Sequence, residues 1–205
     1  MPTQMLVIRH GATALNLENP PRLQGRGVDE PLAALGVRQA EQTRETLRGC
    51  QLQAIYSSPL RRARQTAEIL AAGQGLTVNM HDGFQEGDVG RWENLSWDQI
   101  RAQEPQAYQR FMDDPATYGY AGGETFADVA MRVQPVFSEL LQRHEGQIIA
   151  VVSHQIVCRV YLAGLLGLSP GQARRVRLEN CGISVVRMME GQPVLWSLNS
   201  SLHLT

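Results

Sequence analysis

Residues 6–16 read Leu-Val-Ile-Arg-His-Gly-Ala-Thr-Ala-Leu-Asn, and this stretch guides the interpretation of the whole chain. Its apolar, partly β-branched start ends abruptly in Arg9, His10 and Gly11, a pattern typical of a buried parallel strand that ends at the carboxyl edge of a sheet. Gly11 lets the chain turn away there without a Cβ in the way. A guanidinium that binds two phosphate oxygens beside an imidazole that attacks phosphorus suits phosphate chemistry. Taken alone, so short a motif is more often a strand that merely ends in polar residues.

The composition indicates one soluble globular domain. The chain has 205 residues, 43% of them hydrophobic, and a net charge of −1, which gives no sign of a nucleic-acid or membrane partner. A core strand begins close to the N-terminus without a signal-peptide pattern, so we expect a cytoplasmic protein. The three cysteines lack metal-ligand spacing and are expected to be reduced structural thiols. All 19 basic residues are Arg, so any phosphate must be held by Arg, His, backbone amides and polar side chains.

Strand and helix patterns alternate along the chain, which predicts an α/β fold. We expect a three-layer sandwich in which a mostly parallel mixed sheet is flanked by helices, with the functional site outside the carboxyl ends of the strands. The interpretation is a single domain over 1–205 with a small inserted cap at about 83–123, which breaks the alternation and is rich in Trp, Tyr, Gly and Pro. Strands are predicted near 5–9, 54–57, 76–80, 148–153, 183–188 and 194–198, and helices over 31–48, 60–72, 125–144 and 155–166.

Several other segments carry charged or polar side chains to the same predicted edge. Residues 57–63 join a strand to a helix and supply hydroxyls, a helix N-terminus and two arginines, which together suit an anion. His154 ends another apolar strand, as His10 does, and Glu86 supplies a carboxylate at the start of the cap. Each of these has an ordinary structural explanation by itself. Together they supply a nucleophile, cationic donors and a proton donor, which phosphoryl transfer needs.

The order and spacing of these motifs resemble the histidine phosphatase (phosphoglycerate mutase-like) superfamily over nearly the whole chain. The matching motifs are Arg9-His10-Gly11-x-Thr13-x-x-Asn16, Ser57-Ser58-x-Leu60-x-Arg62-Ala63-x-x-Thr66-Ala67, Glu86-x-x-x-Gly90-x-Trp92-Glu93, Gly122-Gly123-Glu124-Thr125 and Ser153-His154. The chain departs from the usual pattern at Asn94, after Trp-Glu, and at Gln155, where many relatives have Gly. The run His154-Gln155-x-Val157-x-Arg159 is similar to the fructose-2,6-bisphosphatase branch. Both departures concern the substrate rather than the reaction.

The resemblance implies that His10 is a nucleophile that forms a phosphohistidine and that Glu86 is the proton donor. It implies that Arg9, Arg62 and His154 complete the phosphate pocket, with Arg61 at a variable position that faces solvent or the cap. The expected contacts to phosphate or substrate are Asn16, Arg22, Gln24, Gly25, Gln155 and His203. His203 is included because the C-terminal segment is similar to that of metal-independent phosphoserine phosphatases of the superfamily. The alternative is that His203 belongs to a mobile chain end.

Chemistry sets further expectations for these groups. The imidazole of His10 must be neutral, with one N–H held by a neighbour such as a backbone carbonyl. His154 is expected to be charged beside a phosphate, and burial together with the phosphate charge should raise the pKa of Glu86.

The chain is therefore expected to be a metal-independent phosphomonoesterase of small phosphorylated metabolites without a cofactor. Candidate substrates are sugar phosphates, phosphoglycerates, phosphoserine and α-ribazole phosphate, or a broad range of esters. A phosphoglycerate mutase and a non-catalytic phospho-ligand-binding module are the alternatives; the modest cap favours hydrolysis over the mutase. An edge strand of the sheet could support a homodimer.

Overall fold

The computed structural model describes residues 2–204 and has a six-stranded mixed sheet at its centre, in the order β3-β2-β4-β1-β5-β6. The first four strands in this order are parallel to one another, whereas β5 and β6 run antiparallel to their neighbours. The strands are β1 (Gln4–Arg9), β2 (Leu52–Ser57), β3 (Val78–Met80), β4 (Ile148–Ser153), β5 (Ile183–Met189) and β6 (Gln192–Ser200). The expected mostly parallel α/β sheet is confirmed.

Helices cover both faces of the sheet because the strands that carry the site are apolar on both sides. The helices are α1 (Ala14–Leu17), α2 (Ala34–Thr46), α3 (Arg61–Ala72), α4 (Trp97–Gln103), α5 (Pro105–Asp113), α6 (Phe126–Arg143) and α7 (Gln155–Leu165). In β1, Met5 and Val7 pack into one core cluster with α6 and α7, whereas Leu6 and Ile8 pack into the other with α3. The result is the expected three-layer arrangement.

Most predicted helices and strands are present, and the differences lie mainly at their ends and in short elements. The helix predicted from residue 31 begins at Ala34, because Leu32 is extended and bridges Thr13. The short helix α1 and the 3₁₀ segment Pro170–Arg175 were not predicted. The start of α6 was predicted correctly: Thr125 caps it, and Asp128 completes a capping box.

The segment proposed as the cap contains α4, α5 and two 3₁₀ turns. Its aromatic side chains pack together and into the α6–α7 side of the core, with Trp92 and Phe111 buried. Ser153 Oγ at the end of β4 donates to Phe84 O at 2.8 Å, which fixes the start of this segment beside the sheet edge. The division into one domain with a cap stays a prediction. Within residues 2–204, no helix has the length and apolarity needed to cross a bilayer.

Candidate active site

The two strand-end histidines meet at the carboxyl edge of the sheet. Arg9 of β1 pairs with Ser153 of the parallel neighbour β4, so the next residues, His10 and His154, lie side by side. Their ring centroids are 5.2 Å apart. The backbone N–H of His10 donates to Ser153 O at 2.9 Å, which extends the strand pairing into the site. Both histidines are buried.

His10 has the protonation state that a nucleophile requires. Its Nδ1 lies 2.7 Å from Gly11 O. Since a carbonyl only accepts, Nδ1 carries the proton and Nε2 of the neutral ring keeps its lone pair. Burial, and then the charges of Arg62 and Arg9, hold the pKa of His10 well below its usual value. The expected neutral imidazole, held by a backbone carbonyl, is present.

Two arginines flank this pair, Arg62 buried and Arg9 partly buried. Arg9 ends β1 and donates from Nη1 to Leu178 O at 2.7 Å, whereas Arg62 lies in the first turn of α3, which follows β2. The Nε groups of both are buried without a partner in the described chain, so both have N–H groups to give to an anion. Burial and neighbouring Arg159 lower the pKa of Arg9 to about 10, which leaves it charged at neutral pH. Arg61 is exposed, as expected.

The expectation of a charged His154 concerns the phosphate-bound site and stays a prediction. Both ring nitrogens are buried and have no hydrogen-bond partner among residues 2–204. Burial, followed by the charges of Arg62, His10 and Arg9, lowers the pKa of His154 well below its usual value. Burial and the two guanidiniums thus disfavour a further positive charge on this ring.

Glu86 lies under the N-terminus of α7. Its carboxylate accepts the backbone N–H groups of Gly87 at 3.1 Å and Ile156 at 3.1 Å, with Val157 at 3.4 Å. Desolvation raises its pKa, while these hydrogen bonds and the charge of Arg62 act in the opposite direction. The expected rise is present, and burial is its cause. The raised pKa favours the protonated form of Glu86 relative to an exposed glutamate.

Arg132 on α6 holds the main chain around Glu86. Its guanidinium donates to Gly83 O and to Glu86 O, both at 3.1 Å, and forms an ion pair with Glu124 at 2.8 Å. Sequence reasoning missed this role, since an Arg on an amphipathic helix is ordinarily part of a solvated face.

The loop after β1 brings further predicted residues to the site. Thr13 Oγ1 donates to Gln24 Oε1 at 2.8 Å, which turns the amide so that its Nε2 is buried and unpartnered in the described chain. Asn16 Oδ1 accepts the backbone N–H of Thr13 at 3.2 Å. Gly25 O accepts from Arg62 Nη2 at 3.0 Å. Gly25 thus contacts Arg62, and Gln24 precedes it in the same loop.

The remaining predicted contacts lie at the margin of the phosphate pocket or away from it. Arg22 is half-exposed and pairs with Glu18 at 2.6 Å, and Gln155 is the first residue of α7, directly after His154. His203 is not brought to the histidine pair. Its Nε2 lies 3.0 Å from Thr43 Oγ1, because the C-terminal 3₁₀ turn packs back against α2.

Asn180 is a site residue that the sequence did not reveal. Its Nδ2 donates to His10 O at 2.9 Å and reaches Asn16 Oδ1 at 3.4 Å, so it joins the strand end to the following loop. The adjacent Cys181 N–H donates to Arg9 O at 2.9 Å. Only the antiparallel pairing of β5 with β1 brings this turn to the site, and no local pattern indicates it. In residues 2–204, no three His, Cys, Asp or Glu side chains are grouped so that they could hold a metal ion.

Fold and site define a class of protein. A model of the histidine phosphatase superfamily (branch 1) matches residues 5–201, and the chain belongs to this family. It is similar to phosphoserine phosphatase 1 of Hydrogenobacter thermophilus, with 31% identity over 98% of this chain and 94% of the relative. It is also similar to the probable phosphoglycerate mutase GpmB of Salmonella choleraesuis, with 32% identity over 92% of this chain and 86% of the relative.

A solved structure agrees with the family assignment. The phosphoserine phosphatase of Entamoeba histolytica in complex with 3-phosphoglyceric acid superposes with a TM-score of 0.88 and 29% identity, over 99% of this chain and 100% of the other. The similarity over nearly the full length of both chains supports a phosphatase of the histidine phosphatase type.

Proposed function

We propose that this chain hydrolyses phosphomonoesters of small metabolites through a phosphohistidine on His10. The hydrogen bond from His10 Nδ1 to Gly11 O carries the proposal, because it leaves a nucleophilic Nε2 beside the guanidiniums of Arg9 and Arg62. Arg9 and Arg62 would bind the phosphoryl oxygens and stabilise the charge of the transition state. His154, with two unpartnered ring nitrogens, would complete the pocket.

The reaction divides into two displacements at phosphorus. In the first, the Nε2 lone pair of His10 forms a bond to phosphorus while the ester P–O bond breaks, and protonated Glu86 gives its proton to the leaving alcohol. In the second, water attacks the phosphohistidine while ionised Glu86 takes a proton from it. The P–N bond breaks, inorganic phosphate leaves, and both side chains return to their starting states.

The proposed substrates are small phosphorylated metabolites, with phosphoserine, phosphoglycerates and sugar phosphates as candidates. The names of the relatives support phosphoserine and the phosphoglycerates. Gln24, whose Nε2 has no partner in the described chain, would contact the phosphoryl end of the substrate, and Gly25 would act beside it through its hydrogen bond to Arg62. We assign Asn16, Arg22 and Gln155 to the surrounding wall.

A phosphoglycerate mutase is the second candidate, because a relative with 32% identity carries that name. Both activities need the same phosphohistidine and differ in whether water or a second hydroxyl receives the phosphoryl group. Incubation with 3-phosphoglycerate separates them: release of inorganic phosphate supports hydrolysis, and formation of 2-phosphoglycerate supports the mutase.

The test is hydrolysis of p-nitrophenyl phosphate by wild type, His10→Ala and the control variant His144→Ala. His144 bonds Tyr56 and lies outside the pocket. We expect turnover by wild type and the control, none by His10→Ala, and no loss in EDTA, since the two arginines supply the positive charge. Undiminished turnover by His10→Ala would reject the phosphohistidine, and loss in EDTA would reject metal independence. No turnover of any ester by wild type would favour a phospho-ligand-binding module.

A further inference from the structure

We propose that Glu93 is a positioning residue that sets Arg62 in the phosphate pocket through the backbone of residues 25–28. Glu93 follows the buried Trp92 in the proposed cap, and it acts on Arg62 through hydrogen bonds to the loop rather than by a direct one. The inference rests on the proposed function, because it assigns Arg62 to the phosphoryl group.

Glu93 binds the loop with both carboxylate oxygens. Oε1 accepts the backbone N–H of Gly25 at 2.5 Å, and Oε2 accepts that of Gly27 at 3.1 Å. A neighbouring backbone bond, from Leu23 N to Leu95 O at 2.9 Å, ties the same two segments together. Charge-assisted hydrogen bonds of this kind are the stronger ones in proteins. The loop is thus fixed to a segment 68 residues further along the chain.

The same loop holds the guanidinium of Arg62. Nη1 donates to Val28 O at 2.7 Å and Nη2 donates to Gly25 O at 3.0 Å. These bonds fix the plane of the guanidinium and leave its buried Nε without a partner in the described chain. Gly25 therefore connects Glu93 to Arg62, since its N–H donates to Glu93 and its carbonyl accepts from Arg62. A shift of this peptide changes the direction of the N–H groups that Arg62 offers to a phosphate.

The approach of Glu93 explains the glycines in this loop. A Cβ on Gly25 would lie 2.8 Å from Glu93 Oε2 and 2.7 Å from the backbone oxygen of Gly87, and a Cβ on Gly27 would lie 2.9 Å from Glu93 Oε2. Distances this short require something to move. Gly87 follows Glu86, the proposed proton donor. The close contact between Gly25 and Gly87 therefore connects the loop that holds Arg62 with the segment that holds Glu86.

The pKa of Glu93 reflects both its burial and its hydrogen bonds to the loop. Burial raises the pKa of Glu93, whereas its bonds to Gly25 and Gly27 and the charge of Arg62 act against that rise. Desolvation of a half-buried carboxylate costs free energy, which these hydrogen bonds offset. A side chain with no role beyond covering the surface would not need that arrangement.

The test is a double-mutant cycle between Glu93→Gln and Arg62→Ala, with Glu104→Gln as the control. Glu104 is also in the proposed cap, where it pairs with exposed Arg91 at 3.0 Å. The amide introduced by Glu93→Gln keeps one acceptor but turns an N–H₂ group toward the other loop N–H, so we expect kcat/KM for p-nitrophenyl phosphate to fall about 10-fold. In the Arg62→Ala background the same change should cost less than about 2-fold, because Glu93 acts through Arg62. The control should match wild type.

Equal losses in the two backgrounds would overturn the proposal, as would full activity of Glu93→Gln. Gly25→Ala gives a second route: its loss of activity should also shrink in the Arg62→Ala background. The dissociation constant of orthovanadate is measured for every variant and should follow the same pattern. If wild type binds vanadate but hydrolyses no ester, the proposed function fails and the vanadate cycle alone decides the role of Glu93. If wild type binds no vanadate, the phosphate pocket and the role of Glu93 both fail.

Discussion

Replacing Glu86 by Gln separates its proposed proton transfer from phosphate binding. The carboxylate is 3% exposed and accepts backbone N–H groups at the start of α7, which an amide oxygen can still accept in part. The amide cannot deliver a proton to the leaving alcohol. Because general acid catalysis contributes about 10²–10⁴-fold, we expect kcat for an alkyl phosphate to fall about 10³-fold. For p-nitrophenyl phosphate, whose leaving group needs little protonation, the loss should stay under about 10-fold.

The assay compares both esters for wild type, Glu86→Gln and the control Glu139→Gln, which removes an exposed carboxylate paired with Arg143. Equal slowing of the two esters by Glu86→Gln would refute the role as acid. Stability provides an internal check. Folding raises the pKa of Glu86, so the ionised side chain is less stable in the folded protein than in the unfolded chain. The free energy of unfolding therefore falls as pH rises above the ordinary pKa of 4.5. The melting temperature of Glu86→Gln relative to wild type should therefore rise as pH increases from 4.5 to 8, and a difference independent of pH would contradict the raised pKa.

Three further outcomes are expected. Thr125→Ala removes the oxygen that accepts Asp128 N–H at 3.0 Å and should lower the free energy of unfolding by about 1 kcal/mol in urea; an unchanged value would contradict the capping role. Phe137→Ala removes a fully buried ring whose centroid lies 3.8 Å from that of Tyr161, and it should lower the free energy of unfolding by about 3–5 kcal/mol. A loss below about 1 kcal/mol would contradict that packing. Vanadate binding should raise the lowered pKa of His154 and take up a proton, seen as calorimetric heats that change with the buffer; heats independent of the buffer would contradict it.

The chemistry of strand ends explains why so much of the site was predictable. His10 and His154 each follow an apolar strand, and the parallel register places such residues together at one edge. Arg62 was separable from Arg61 because the resemblance to the family assigns the functional arginine of the second motif to Arg62; the structure buries Arg62 in α3 and exposes Arg61. These are local patterns whose three-dimensional consequence is fixed by the sheet.

The unpredicted parts depend on contacts between distant segments. Asn180 reaches His10 only because β5 pairs antiparallel with β1, and Arg132 reaches the backbone of Glu86 only because α6 packs beside it. The lowered pKa of His154 also needed coordinates, since it results from burial beside two arginines. His203 was assigned from a terminal motif, whereas its position follows from packing of the C-terminal turn on α2.

The most direct test of the account is to locate the phosphoryl group during turnover. Wild type is mixed with p-nitrophenyl phosphate, quenched in alkali within milliseconds, digested and analysed by mass spectrometry. Because the proton of His10 is on Nδ1 and Nε2 keeps its lone pair, we expect one phosphoryl group on His10, absent from His10→Ala. A phosphoryl group on another residue, or none while nitrophenol is being released, would contradict it.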